Sequence, residues 1–334
     1  MGIKRLLKLI LETTNIVKNT SIEQYKYKRI AIDISLMMYK IIISIRNSGA
    51  DYTNHKGEIT SHILGLFNNT IKFLKNGIIP IYVFDGKPPE IKNKTILDRK
   101  NTKNKNIEKM NNSSTNEERI KYFKKCVKIT KKQWDECKGL LTIMGIPWIE
   151  APEEADSQCA YLSKEKIVDA VMTDDMDILT FGSSKIVKNL LSKKNCMTEI
   201  NLNDVLKTLD LSLDEFVEFC ILLGSDYNNG LSDINYNIIL EYYIKHRNIE
   251  NTLNAMIKDN YNIKSSANID SYNVIKKYFI EPKITKTSID ELKIKQPQCD
   301  ILIKLLVEEY GLVNRLVKNK VYNLNKYYEE LKNI

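Results

Sequence analysis

The chain reads as an α/β protein, a mainly parallel sheet between helices followed by a helical C-terminal region. Short β-branched and aromatic runs alternate with longer stretches that are apolar at helical spacing. Several of the short runs also end in an acidic residue. A strand that closes on Asp presents it at the sheet edge, where open α/β folds bind ligands.

The elements follow in order. Residues 28–32 form a buried strand, and 36–45 the helix after it. Residues 60–76 are apolar at helical spacing through Ile63, Leu66, Phe67, Ile71 and Leu74, with Gly77 as the stop. Residues 78–84 are the next strand. Residues 90–116 are then rich in Lys and Asn and poor in apolar side chains. They predict two helices around a turn at 111–116, an insertion outside the core that orders when a ligand arrives. The core resumes with a helix at 130–144, stopped by Gly145, and a strand at 147–150. Pro152 and the acids after it suit a helix's first turn. A strand follows at 167–172, then a strand pair at 185–189 and 196–200. Beyond Asn203 the pattern is helical, most clearly at 213–223. No internal repeat is present. The expected division is a core over 1–200, containing the insertion at 90–132, and a helical region over 201–334 continuous with it.

The 334 residues are 43% apolar, enough for a sizeable core, and Lys plus Arg outnumber Asp plus Glu by 51 to 42. Residues 92–132 hold 14 basic and 4 acidic side chains, a net of +10 against +9 for the whole chain. One segment therefore carries the basic character, the footprint of a polyanion site or, more blandly, a solvated helix face. Six cysteines lack metal-ligand spacing and, with no secretory leader before them, read as reduced, buried thiols of an intracellular protein. Three histidines make a His-based zinc site or a Ser-His-Asp triad improbable. No apolar stretch approaches the ~20 residues that span a bilayer. Leu6 stands where a myristoylation signal needs Ser or Thr, so membrane attachment is not expected.

Seven carboxylates close or follow apolar runs: Asp33, Asp85, Glu154, Asp156, Asp175, Asp177 and Asp226. Taken singly, a strand-end Asp is ordinarily a helix cap or a turn residue. Taken together they predict a cluster, and clustered carboxylates stay charged only around cations. Hard divalent ions, Mg²⁺ above all, suit such oxygens, and a pair of them hydrolyses phosphodiesters in line. Lys92 and Arg99, seven apart, are expected on one helix face reaching over the cluster, where a cation would stabilise phosphoryl charge. The plain alternative is two exposed basic residues. Tyr39 offers either a stacking face for a base or a structural aromatic.

These residues in this order resemble the flap endonuclease branch of the XPG nuclease family. The most specific matches are residues 60–65 (TSHILG), 83–89 (VFDGKPP), 135–137 (DEC), 144–147 (MGIP), 175–182 (DMDILTFG) and 221–227 (ILLGSDY). The resemblance spans nearly the whole chain. It implies a PIN-like fold, a helical arch at 90–132 that threads a 5′ single strand, and a helix–two-turn–helix hairpin in the C-terminal region. It also implies two Mg²⁺ ions on the seven acids, with Mn²⁺ expected to substitute. Lys92 and Arg99 match the family's basic catalytic pair, and Tyr39 its stacking aromatic. Gly2, Arg46, Lys103, Lys128, Lys131 and Lys132 complete the expected DNA contacts.

Departures from the pattern bear on the details. Asp156 stands where the family usually has Glu. The sequence Asp233-Ile-Asn-Tyr236 replaces Gly-Ile-Gly-Pro, which puts the hairpin's K⁺ and its hold on the downstream duplex in question. Asn54-His-Lys-Gly57 and Asn69 replace an acidic pair and an Arg tied to 3′-flap recognition. The tail lacks the family's sliding-clamp motif. The Lys-, Asn- and Ile-rich composition fits AT-biased coding, as in a large DNA virus or an AT-rich parasite. The expected activity is Mg²⁺-dependent cleavage of 5′ flaps or branched DNA in replication, repair or recombination, by a monomer in the nucleus or at a site of viral DNA replication. A 5′–3′ exonuclease or junction-cleaving relative is the alternative, and a non-catalytic DNA-binding scaffold the remaining one.

Overall fold

The computed structural model describes residues 2–12, 16–191, 197–263 and 269–334. Cys196, expected in a strand and among the buried thiols, lies outside them. Among the described residues the strands are β1 (Val17–Thr20), β2 (Arg29–Asp33), β3 (Ile79–Phe84), β4 (Trp148–Glu150), β5 (Ala170–Met172), β6 (Lys185–Lys188) and β7 (Met197–Asn201). The chain forms two compact units. The first comprises Met1–Ser21, Asp85–Thr95 and Ala151–Thr285; the second comprises Ile22–Phe84, Ile96–Glu150 and Lys286–Ile334.

In the second unit the strand order is β2-β3-β4, and both pairings are parallel. Every residue of β3 is buried, as expected of a parallel strand covered on both faces. Helix Ser61–Lys75 buries all five apolar positions expected of it. Helix Lys131–Ile143 starts at a capping box, in which Thr130 accepts from the Gln133 amide and Gln133 reaches back to Thr130 N. It stops at Gly145, whose φ of 70° is left-handed. A Cβ there would stand 2.0 Å from the Lys295 carbonyl oxygen, so both conformation and space require glycine.

The insertion forms helices Asn93–Asn111 and Asn116–Lys125 on either side of a short turn, as the composition predicted, and neither buries a residue. The second helix stands on local terms. Thr115 caps it, Glu117 and Glu118 lie in its first turn, and Lys124 and Lys125 in its last, each sign matched to the helix dipole. It is also tied down by Arg46, only 8% exposed. The Arg46 guanidinium forks onto Asp51 at 3.1 and 2.9 Å, donates to the Phe123 carbonyl at 2.9 Å and lies 4.1 Å from the Phe123 ring centroid.

In the first unit the order is β1-β7-β6-β5, with β5 and β6 parallel and β7 antiparallel to both neighbours. Helix Leu6–Glu12 and strand β1 were not foreseen. The helix is short, and the Val-Lys-Asn-Thr of β1 is a strand only because β7 supplies its hydrogen-bond partners. Strand β5 begins three residues later than expected. Lys166 takes a left-handed φ of 59°, and the Ile167 and Val168 amides both cap the preceding helix at the Leu162 carbonyl. Helices Leu213–Leu223 and Tyr236–His246 flank the expected hairpin, and buried Tyr243 donates to Glu218 at 2.9 Å.

Cys137, Cys159 and Cys220 are buried free thiols, whereas Cys126 and Cys299 are only half-buried. No helix among the described residues is long and apolar enough to cross a membrane. Gly145→Ala should cost at least about 2 kcal/mol, from left-handed strain plus a backbone clash, and a denaturant midpoint unchanged from wild type would contradict the close approach at Lys295.

Candidate active site

Six of the seven expected acids, with Lys92 and Gly2, lie in the first unit. Asp85 follows β3 and turns at once along residues 152–155. Gly86 N donates to the Glu153 carbonyl at 2.6 Å and Lys87 N to the Pro152 carbonyl at 3.2 Å. The Asp85 carboxylate accepts from Ala155 N at 2.9 Å, at the start of helix Ala155–Lys164. It thus serves an orphan amide that the N-cap residue, Glu154, leaves alone. Glu154 is thereby released to point its side chain elsewhere.

Glu154 is 6% exposed and fully engaged. Lys92 Nζ makes a short hydrogen bond to Oε1, while Tyr227 and Tyr278 both donate their hydroxyls to Oε2, Tyr278 at 3.1 Å. Lys92 Nζ also lies 3.7 Å from Asp226 Oδ2. Asp226 sits in a turn where Thr95 donates its hydroxyl to the Asp226 carbonyl and Tyr227 N donates to Ser225 Oγ. Burial pulls the Lys92 ammonium down in pKa, but Glu154, Asp156 and Asp226 more than reverse this and hold it above the usual lysine range. Lys92 therefore keeps its proton.

Asp175 and Asp177 leave β5 through a compact turn. Asp175 N donates to Thr173 Oγ1 at 2.9 Å, and Asp177 N donates to Asp175 Oδ1 at 3.2 Å. That second bond is an Asx turn, which lets residues two apart aim both carboxylates one way. Asp177 is 2% exposed, and its Oδ1 accepts no hydrogen bond among the described residues. Burial pushes both carboxyl pKa values up, and the Asp226 charge adds to the effect on each. Gly2 packs against this pair with a left-handed φ of 84°; a Cβ on it would meet Asp175 Oδ1 at 1.9 Å. Asp156 stands in the first turn of its helix, half-buried.

The remaining expected residues lie in the second unit. Asp33 ends β2 and caps helix Ile34–Ile45, accepting from Leu36 N at 3.1 Å. Tyr39 is exposed on that helix. Lys92 and Arg99 do not share a helix face as expected. Lys92 belongs to a 3₁₀ turn, Glu90–Lys92, that follows Pro89, and only Arg99 lies in helix Asn93–Asn111. Arg99, Lys128, Lys131 and Lys132 are exposed. Lys132 pairs with Glu58 and Glu136, and Lys103 donates to the Val127 carbonyl at 3.1 Å. Sequence reading missed Thr95, Tyr227 and Tyr278. Tyr227 adjoins Asp226 and carried a signal; Tyr278, in a helix far along the chain, carried none.

The side chains fit divalent metal. They offer hard oxygens, an orphaned buried acceptor on Asp177, and an ammonium standing where positive charge is demanded. Among the described residues no three acid, imidazole or thiol side chains form a ready ligand shell. Mg²⁺ does not need one, since it takes one or two carboxylates and retains water.

Two family models match the chain, the XPG N-terminal domain over residues 1–106 and the XPG I-region over 145–226. Flap endonuclease 1-B of Physcomitrium patens is 37% identical, over 96% of this chain and 94% of that protein. Flap endonuclease 1 of Homo sapiens is 35% identical, over 98% and 87%. Among solved structures, the flap endonuclease-1 of Methanococcus jannaschii matches with a TM-score of 0.72 at 33% identity, covering 94% of this chain and 96% of that one. A chain so matched along its length belongs to the flap endonuclease branch of the XPG nuclease family.

Proposed function

We propose that this protein is a divalent-metal-dependent, structure-specific 5′ nuclease that hydrolyses phosphodiester bonds at 5′ flaps and related DNA branches, using two Mg²⁺ ions. The observation that carries the reading is the acid set of the first unit, compensated by one buried, protonated lysine. Asp85, Glu154, Asp156, Asp175, Asp177 and Asp226 would hold the metal. Bound Mg²⁺ would supply an activated water and a clamp on the phosphate oxygens.

The chain's own residues do the positioning. Tyr227 and Tyr278 fix the Glu154 carboxylate, and Thr95 fixes the turn bearing Asp226. Lys92 holds a proton and neutralises charge on the phosphoryl group. Gly2 lets the backbone approach the Asp175–Asp177 pair more closely than any side chain would allow. The exposed lysines of the insertion grip phosphates without reading sequence.

Asp175→Ala should lower Mg²⁺-stimulated cleavage of a 5′-flap substrate by about 10³-fold or more while DNA affinity stays near wild type; retained turnover would refute the ligand assignment. Lys92→Met should lower the melting temperature without metal, because it removes the internal counter-charge. Added Mg²⁺ should then raise the variant's melting temperature more than wild type's, and an equal rise in both would show that lysine and metal do not serve the same acids. Lys128→Ala and Lys131→Ala should each reduce the slope of log affinity against log salt by about 1, whereas Lys132→Ala, already ion-paired, should change it less. Three equal slopes would count against phosphate contact by the exposed lysines.

A further inference from the structure

The hairpin between helices Leu213–Leu223 and Tyr236–His246 is where the family resemblance implies K⁺. Its carbonyl oxygens are already served from within the chain. Arg5 Nη1 donates to the Ile234 carbonyl at 2.5 Å, and Arg5 Nη2 to the Leu231 carbonyl at 3.2 Å. Ile234 N closes the same turn onto Leu231 O at 3.1 Å. One residue earlier, Lys4 N donates to the Gly224 carbonyl at 2.8 Å, so the N-terminal segment is stitched along the whole hairpin. Asp233 lies close enough for its charge to act on Arg5.

Arg5 is shaped for this place at some cost. Its φ of 62° is left-handed, a conformation that side chains other than glycine rarely take, and it persists because the surrounding bonds fix it. A guanidinium is permanently charged and offers five donors in a rigid fork, so one side chain can serve two carbonyls. A potassium ion would need those same oxygens and would sit beside a fixed positive charge that repels it. The residues present therefore do not fit K⁺.

We propose that Arg5 is a tethered substitute for a diffusible monovalent cation at this hairpin, so that the turn's hold on duplex DNA does not depend on K⁺. The inference rests on the nuclease reading above for its DNA ligand, but not for the state of the free hairpin.

The test uses the full chain and an uncleavable 5′-flap duplex, with binding followed by fluorescence anisotropy in KCl, NaCl and tetramethylammonium chloride at one ionic strength. Wild-type affinities should agree within about twofold across the three salts. Arg5→Gly, which removes the fork and suits the left-handed backbone, should bind about tenfold more weakly in tetramethylammonium chloride. Amide exchange at residues 229–236 of the free variant should quicken, a readout that needs no DNA. A wild type that binds several-fold tighter in K⁺ than in the organic cation overturns the proposal. So does an Arg5→Gly variant with unchanged exchange. Absence of Mg²⁺-stimulated cleavage in every salt, with exchange quickened as expected, would count against the nuclease reading alone.

Discussion

Everything at the site follows from the repulsion among carboxylates that the fold has taken out of water. Two like charges 4 Å apart repel by roughly 4 kcal/mol at an effective dielectric near 20, and burial penalises each one separately. With Asp177 at 2% and Glu154 at 6% exposure, the chain cannot leave this to solvent. It answers with one ammonium, from Lys92, and with neutral donors from Tyr227 and Tyr278 on Glu154. The ammonium compensates charge, while the hydroxyls fix direction without adding any.

The same constraint explains why so much backbone is committed to turns around the acids. Asp85 serves the amide that starts the next helix, Asp175 serves the amide of Asp177, and Asp226 is held by its own carbonyl through Thr95. In the first two cases a carboxylate oxygen is used structurally. Gly2 then becomes obligatory, since the space beside Asp175 and Asp177 admits a peptide and not a methyl group. Preorganisation here comes from hydrogen bonds between these carboxylates and the main chain.

Much of this was legible in the sequence, for a local reason. Strand-end acids and helical spacing are short-range patterns, so the helix at 61–75, the insertion and the acid turns at 85, 175 and 226 could be read directly. What escaped was long-range. Strand β1 exists only because β7 lies beside it, and Tyr278 acts on a glutamate 124 residues away. The Lys92–Arg99 spacing misled because Pro89 fixes an extended residue and a 3₁₀ turn follows, so helical phase starts only at Asn93. Asp33 shows the limit from the other side: its cap on Leu36 is the ordinary role of a strand-end Asp.

Basic residues raise the opposite problem, since their number overstates what a polyanion can meet. Arg46 donates to Asp51 and the Phe123 carbonyl and Arg5 to the hairpin, while Lys103 gives one donor to the Val127 carbonyl and Lys124 one to Asn47 at 2.9 Å. Lys132 is held between two glutamates. Each of these charges still contributes to the long-range field that draws DNA in, because a paired or buried cation near weak acceptors keeps its charge. Far fewer can close on a phosphate, which requires a donor not already taken. The net of +10 over residues 92–132 is therefore a statement about attraction and encounter rate. Structure and electrostatics are met by different basic residues: Arg46, outside the insertion, and Lys103, within it, both act as fasteners.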